Sequence, residues 1–193
     1  MKPLSRPMFT AVAAIFAMIM IATRFNHFGD ALHLPDASMA LFFLGGIYLR
    51  KHLAFLGFVI LSVLIDWYSV SYAGVSDFCI TIAYSFMPLA YAVLWYAGRL
   101  LAPRYDGSLA SHARVFAGLL VSATLSYAVS NGAFYWLGGR YPDPNMAQYL
   151  QRFAQWAPLF VRAAAGYVLA AQLVQALVFR FVPRAADSRI ARA

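Results

Sequence analysis

The chain has 193 residues, of which 63% are hydrophobic, 17% aromatic and only 11% charged, and its mean hydropathy is +0.67. Because water-soluble domains carry about 25% charged residues, this composition excludes an ordinary soluble protein and predicts an integral membrane protein. Fifteen Lys and Arg against seven Asp give a net charge of +8. Basic residues collect in the cytoplasmic loops of membrane proteins, so the surplus predicts an orientation in the lipid bilayer and no nucleic-acid partner. The single Cys excludes an internal disulfide and any CxxC motif.

The first apolar run covers residues 8–23 and follows two basic residues, Lys2 and Arg6. This arrangement also fits a secretory signal peptide. The run is slightly longer than a usual signal core, however, and no small-x-small cleavage site separates it from Arg24. We therefore expect it to remain attached as the first transmembrane helix.

Five further apolar runs follow, and with the first they predict six helices in one membrane domain over residues 1–193. The second and third runs are shorter than the roughly 20 residues of an upright span. They would cross only if neighbours bury them, if flanking residues snorkel or if the bilayer thins. The last three are long enough by themselves, and no room remains for a soluble catalytic domain. The five runs are 37–48, 52–65, 78–98, 115–138 and 156–178.

The basic residues divide unequally between the two sets of loops that six crossings create. Eleven of the fifteen fall on the side of the termini, so the positive-inside rule predicts that the N and C termini are both cytoplasmic. The basic tail at 183–193 is typical of a contact with anionic lipid head groups. The opposite, outer side holds most of the residues able to carry chemistry. They are His27, His33, Asp66 and Cys79.

Cys79 is predicted at the outer start of the fourth helix, near the water boundary. A lone membrane Cys more often packs as a small apolar side chain. At a helix N-terminus, however, the dipole favours the thiolate, which attacks electrophiles or ligates metals. Asp77 opposes this effect, so its sign stays open. One thiolate cannot enclose a Zn or Cu ion, but it could be an axial ligand to a metal that a corrin or porphyrin already holds.

Three polar residues are predicted near Cys79 on the outer face. His27 and His33 follow the first helix, and either could be a second axial ligand or a hydrogen-bond donor. A solvated loop residue is the simpler interpretation of His33, whereas both interpretations of His27 stay open. Asp66 is predicted to end the third helix, either as a stop at the water boundary or as a partly buried carboxylate. In the second case it requires a donor partner from the protein or a ligand.

Tyr84 follows Cys79 by five residues, which is about 140° around a regular helix. One helical stripe therefore does not hold both side chains. Either the fourth helix begins irregularly, or the two residues meet a large ligand from different sides. Taken alone, Tyr84 is more typical of a packed side chain with a satisfied hydroxyl.

Three features inside the predicted spans have both a structural and a functional interpretation. Ala13 and Ala17 form a small-xxx-small pair, which lets another helix approach closely, from the same chain or from a partner. Arg162 is the one charge inside a span and either has a function or snorkels to the outer surface. A run of polar residues in the fifth helix either lines a cavity or forms hydrogen bonds across helices. This run comprises Ser122, Thr124, Ser126, Ser130 and Asn131.

The short hydrophobic helices, the alanine pair of the first helix and the outer chemical face resemble the S-components of energy-coupling-factor (ECF) vitamin transporters. Within that group, the chain is similar to the BtuM-type cobalamin transporters of proteobacteria. The resemblance covers the whole chain in helix number and order. Its specific positions are His27, Asp66, Cys79 and Tyr84.

The resemblance implies an all-α bundle of six transmembrane helices in the bacterial inner membrane, with an outward-facing pocket for cobalamin. Cys79 would be the axial ligand of the cobalt. Because a strongly donating thiolate should weaken the opposite bond, we further expect Cys79 to be the catalytic residue of a slow removal of the cyano ligand. His27, Asp66 and Tyr84 would surround the corrinoid. Cobalamin is then the substrate, and no cofactor of the protein's own is expected.

The resemblance also implies partners. Ala13 and Ala17 would contact the coupling helices of a transmembrane ECF subunit, and ATPases would drive the cycle because this sequence has no Walker A motif. The nearest alternative is an S-component for a different vitamin, although such a site has no evident need for Cys79. A non-transport membrane assembly protein is a further alternative. An intramembrane enzyme is disfavoured, because the sequence has no Cys pair, GxSxG or HExxH motif.

Overall fold

The computed structural model describes residues 4–25 and 34–181, with side chains up to residue 177, and all regular structure in these ranges is helical. Six α-helices alternate in direction. They are α1 (Arg6–Thr23), α2 (Ser38–Tyr48), α3 (His52–Tyr72), α4 (Met87–Leu101), α5 (Leu109–Leu137) and α6 (Met146–Phe181). Four of them, α1, α3, α5 and α6, are long and apolar enough to cross a membrane. The all-helical, membrane-compatible character predicted from composition is thus confirmed.

The predicted end of the third helix is wrong. The apolar run stops before Asp66, but α3 continues to Tyr72, so Asp66 lies inside the helix. The helix extends past the charge because Asp66 is neutralised by Arg24, which follows α1. The last two helices also begin earlier than their apolar runs do, at Leu109 and Met146.

The predicted start of the fourth helix is also wrong. Two 3-10 turns, Asp77–Cys79 and Ile82–Phe86, occupy the first half of the predicted helix. Each turn is preceded by a hydroxyl that accepts a backbone hydrogen bond, from Phe78 N to Ser76 Oγ at 3.2 Å and from Ala83 N to Thr81 Oγ1 at 3.3 Å. Such local bonds compete with the α-helix. The helix dipole therefore does not act on Cys79 in the way that the sequence suggested.

The two short helices, α2 and α4, form the most intimate contact of the bundle. A Cβ atom on Gly46 would lie 1.9 Å from the carbonyl oxygen of Trp95, and one on Gly98 would lie 2.1 Å from that of Phe43. Only glycine allows the two backbones to approach so closely. Nearly every residue of α2 is buried, so this helix is enclosed by protein and does not depend on its own length for stability.

The two ends of the bundle differ in character. At one end, which we term the packed end, the hydroxyls of Tyr48 and Tyr105 both donate to Gln175 Oε1, at 2.5 and 2.9 Å. Lys51 lies over the ring of Phe9 there, 4.6 Å from its centroid. The chain enters α1 and leaves α6 at this end. The other end, which we term the pocket end, contains an open cavity.

Candidate functional site

The cavity at the pocket end has a volume of about 530 Å³ and opens to the exterior on one side. Its walls come from α3, α5, α6 and the two 3-10 turns before α4, and its floor comes from the residue after α1 and the start of α2. Volumes of this size are typical of ligand-binding sites. Its polar lining includes Arg24, Asp66, Cys79, Tyr84, Asn131 and Arg152.

Arg24 organises the floor of the cavity. Its Nε and Nη2 donate to the two carboxylate oxygens of Asp66, each at 2.7 Å. Its Nη1 donates to Ser38 Oγ and to the hydroxyl of Tyr91, again at 2.7 Å each. Only 5% of the Arg24 side chain is exposed. A paired, charge-assisted fork of this kind is among the strongest polar contacts in proteins, so the floor is pre-organised before a ligand arrives.

Asp66 receives a third hydrogen bond from the other side of the cavity. The hydroxyl of Tyr84 donates to Asp66 Oδ2 at 2.6 Å. Burial and this contact raise the pKa of Tyr84, so its hydroxyl stays a donor at neutral pH. The expectation that a partly buried Asp66 has a donor partner is confirmed, and both partners, Arg24 and Tyr84, come from the protein.

A second carboxylate completes the floor. Asp36 Oδ1 accepts from the backbone N of Ser38 at 2.8 Å and from its hydroxyl at 2.6 Å. Asp36 Oδ2 lies 3.9 Å from Arg24 Nη1. One guanidinium thus faces two carboxylates, Asp36 and Asp66, and the floor carries a net negative charge.

Cys79 lies in the wall, at the end of the first 3-10 turn, and its side chain is exposed. The neighbouring Phe78 anchors this turn on α5, with its ring centroid 5.6 Å from that of Phe134. Arg140 covers Phe78 from outside, 4.9 Å from the ring centroid, and its Nε donates to the Phe78 carbonyl at 3.2 Å. The wall therefore presents the thiol on a segment held by aromatic and cationic contacts.

The groups around the thiol shift its pKa in opposite directions. Partial enclosure by the cavity wall raises the pKa of Cys79, the Arg140 guanidinium lowers it, and Asp66 raises it again. The net shift is upward, so the thiol is mostly protonated at neutral pH. Among residues 4–25 and 34–181, no cluster of three or more His, Cys, Asp or Glu side chains could hold a metal ion.

Three of the residues singled out from the sequence, Asp66, Cys79 and Tyr84, line this one cavity. The irregular start of the fourth helix is the alternative that the structure supports, since Cys79 and Tyr84 belong to separate 3-10 turns. His27 and His33 lie outside the described residues.

The remaining candidates divide between the cavity and other parts of the bundle. Ala13 and Ala17 are half-buried on α1 and pack against the core of this same chain. Arg162 is exposed on α6 and does not line the cavity. The polar run of α5 divides in two. Ser122 and Thr124 donate back to their own helix, whereas Ser126, Ser130 and Asn131 line the cavity.

Arg24 is the functional residue that the sequence interpretation missed, because it was counted only as a basic residue of an outer loop. An Arg directly after an apolar helix, in a chain with few acids, was the available signal, since a charge at membrane depth needs a partner. Comparison of the sequence with protein-family models and with curated proteins finds no match. The geometry of the cavity therefore carries the functional argument.

Proposed function

We propose that this protein is a cobalamin-binding membrane transporter of the S-component type, which takes up cobalamin from the outer side of the bacterial inner membrane. The observation that carries the proposal is the exposed thiol of Cys79 in the wall of an open cavity whose floor contains Asp66 and Tyr84. A binding site for a vitamin without a metal has no chemical need for such a thiol. A corrinoid does, because the axial ligands of its cobalt lie outside the corrin ring and can be exchanged for a soft ligand.

In this proposal Cys79 ligates cobalt from the lower face of the corrin and displaces the nucleotide base. The corrin supplies four equatorial nitrogens, so one thiolate completes the lower side. Coordination removes the thiol proton, as it does for metal-bound thiols generally. The open side of the cavity suits a ligand larger than 530 Å³, since the upper part of the corrinoid remains outside the walls.

Asp66 and Tyr84 contribute a pre-set polar surface beneath the corrin. Each carboxylate oxygen has two acceptor positions. Oδ2 accepts from both Arg24 and Tyr84, whereas Oδ1 accepts one hydrogen bond from Arg24, so Asp66 can take one further N–H donor from the ligand. The Arg24 fork fixes the carboxylate in place. The polar floor therefore recognises donors on the ligand rim rather than an anionic group.

A slow chemical step follows from the same coordination. The thiolate of Cys79 donates its electron pair to Co(III), which weakens the bond on the opposite side. That cobalt–cyanide bond then breaks heterolytically, and cyanide leaves with the bonding pair and takes up a proton from water. A water molecule binds at the vacated axial position. Cobalt stays Co(III) throughout, so this removal of the cyano ligand is a ligand exchange and requires no reductant.

The proposed orientation places both chain ends and the packed end in the cytoplasm, with the pocket end outward, in agreement with the distribution of basic residues. All six α-helices cross in this arrangement. The shorter α2 does so because neighbouring helices enclose it, in agreement with the rule that short segments at membrane depth are surrounded by protein. The shorter α4 packs one buried face, which includes Trp95 and Gly98, against α2. A transmembrane ECF coupling subunit with its ATPases supplies the energy, and Ala13 and Ala17 lie on the helix that meets it.

The test is a visible spectrum of the detergent-purified protein with bound cyanocobalamin, for the wild type and for Cys79→Ser. We expect a spectral shift from a sulfur axial ligand in the wild type and none in Cys79→Ser. Thr124→Val, a change on the exposed face of α5, is the matched control and should behave as the wild type does. An identical spectrum for wild type and Cys79→Ser would overturn the coordination.

Transport requires a separate measurement. Uptake of labelled cobalamin by cells that lack other cobalamin routes should depend on this protein. If the purified protein binds no corrinoid at all, the transporter proposal fails, and an S-component for another vitamin takes its place.

A further inference from the structure

The α5 wall of the cavity contains a polar side chain with a buried acceptor that no described residue satisfies. The hydroxyl of Ser130 donates to the carbonyl of Tyr127 at 3.3 Å. Asn131 differs, because its Oδ1 is buried and has no hydrogen-bond partner among the residues that the structure describes. Buried amide oxygens in folded proteins are almost always satisfied. The lining of the cavity thus includes an acceptor, Asn131 Oδ1, to which no described residue donates.

Asn131 lies between two aromatic contacts. One turn further along α5, roughly 4.5 Å along the helix axis, Phe134 packs against Phe78, the neighbour of Cys79 in the first 3-10 turn. One turn in the other direction, Tyr127 packs against Phe160 of α6, with ring centroids 5.1 Å apart. The wall is therefore apolar on both sides of Asn131. In ligand pockets, a small number of precisely placed polar groups of this kind usually fixes the orientation of the ligand.

We infer that Asn131 recognises a primary carboxamide of the bound ligand and is a specificity-determining residue of the cavity. The inference rests on the proposed function, since the rim of a corrin carries several such carboxamides. A carboxamide offers both donors and acceptors. Two carboxamides therefore pair through reciprocal N–H to O hydrogen bonds, whichever way the Asn131 amide is turned.

The charges around the cavity agree with a neutral partner at this position. The floor holds Arg24 between Asp36 and Asp66 and has a net negative charge. The other cation of the lining, Arg152, lies over the ring of Tyr141 at 4.8 Å. A ligand carboxylate in place of the amide would present an acceptor to the acceptor Oδ1 of Asn131 and lose one of the two hydrogen bonds.

The test measures dissociation constants of the full-length, detergent-purified protein for cyanocobalamin and for the set of derivatives in which one rim amide is hydrolysed to the acid. In the wild type, one derivative should bind about tenfold more weakly than the parent, which corresponds to the loss of one hydrogen bond. Asn131→Leu should weaken binding of the parent by a similar factor and abolish the difference between parent and derivative. The sulfur-ligated spectrum should persist, because Cys79 is untouched.

Two further variants keep the test decisive. Ser122→Ala is the matched control, since its hydroxyl bonds to its own helix and the residue does not line the cavity, and it should change affinity less than twofold. Asn131→Asp keeps the side-chain shape, should weaken the parent and should weaken the sensitive acid derivative further. Equal affinities of wild type, Asn131→Leu and Asn131→Asp would overturn the role of Asn131 while leaving the transporter proposal intact. Failure of the wild type to bind any corrinoid would overturn both.

Discussion

The packed end and the pocket end of the bundle use space and polarity in opposite ways. At the packed end, α2 and α4 meet through glycine backbones, and Phe43, Leu94 and Trp95 are fully buried. At the pocket end, backbone that is not α-helical leaves a cavity, and buried polar groups define its floor. Tyr91 connects the two regions, because its ring stacks on Phe42 at 4.0 Å and its hydroxyl accepts from Arg24.

This difference indicates a division of labour. A membrane helix gains little from the hydrophobic effect once it is in lipid, so close packing supplies the stability of the bundle. The packed end provides that stability through contacts that allow no extra atom. The pocket end can then keep an open cavity and a fixed ion pair, both of which a protein would otherwise avoid at membrane depth.

The largest expected effect comes from filling the glycine contact of the packed end. Gly46→Ala places a Cβ atom 1.9 Å from the Trp95 carbonyl oxygen. The backbones must separate, so we expect a loss of about 3 kcal/mol in the free energy of unfolding. Thermal unfolding of the purified protein measures this loss. Gly57→Ala is the matched control, because no atom lies within 4 Å of its Cβ position, and it should cause no loss.

Breaking the ion pair of the pocket end should have the next largest effect. Arg24→Leu leaves the Asp66 carboxylate with Tyr84 as its hydrogen-bond partner among the residues that the structure describes. Broken buried pairs cost about 3–5 kcal/mol, and because 20% of the Asp66 side chain is exposed we expect about 2 kcal/mol here. The double variant Arg24→Leu/Asp66→Asn should recover part of this stability, because it removes the carboxylate nearest to the lost guanidinium, while the more distant Asp36 keeps its charge. Purely additive losses in this mutant cycle would mean that the pair has no coupling energy.

Much of the fold follows from local patterns, and the exceptions have identifiable causes. The number of α-helices agrees with the apolar runs, because run length reports helices directly. The end of α3 was misplaced because Asp66 is stabilised by Arg24, 42 residues away, and a local pattern does not contain that pairing. The start of α4 had a usable signal, since Pro88 is typical of a first helical turn and the hydroxyls of Ser76 and Thr81 favour local turns.

The site shows the same contrast. Residue type and loop side were sufficient to predict that Asp66 and Cys79 belong to one region, the resemblance added Tyr84, and all three line one cavity. Their roles toward a ligand stay predictions. Arg24 was missed because its function depends on three-dimensional partners from α2, α3 and α4. The buried Oδ1 of Asn131 likewise becomes visible only when the packing around it is known.

A pH series tests whether the Cys79 thiolate in the cavity wall ligates the cobalt. Only the thiolate ligates cobalt, and the pKa of the free Cys79 thiol is raised, so binding at neutral pH releases one proton. Affinity for cyanocobalamin should therefore rise with pH, by about tenfold per unit, until the pH exceeds that pKa, and then level off. Arg140→Gln removes a charge that lowers the pKa of Cys79, so its curve should move to higher pH. A flat profile for the wild type would contradict thiolate ligation, and Cys79→Ser should show no such rise.

The smallest expected effects concern two buried serines, one in the middle of the bundle and one at the cavity, and they test whether a hydroxyl matters more for stability at the cavity. Ser122 of α5 is buried and donates to Gly118 O at 2.7 Å, and Ser69 of α3 lines the cavity and donates to Ile65 O at 2.6 Å. Both hydroxyls thus bond to a backbone carbonyl of their own helix, a contact that stabilises a helix little or not at all. Ser122→Ala and Ser69→Ala should each change the free energy of unfolding by less than about 0.5 kcal/mol. A clear loss for Ser69→Ala alone, in thermal unfolding of the ligand-free protein, would mean that the cavity wall depends on this hydroxyl beyond its own helix. If both substitutions change the free energy of unfolding by the same small amount, single hydroxyls contribute alike at both positions. The two ends would then differ in stability through the close backbone approach at one end and the Arg24 ion pair at the other.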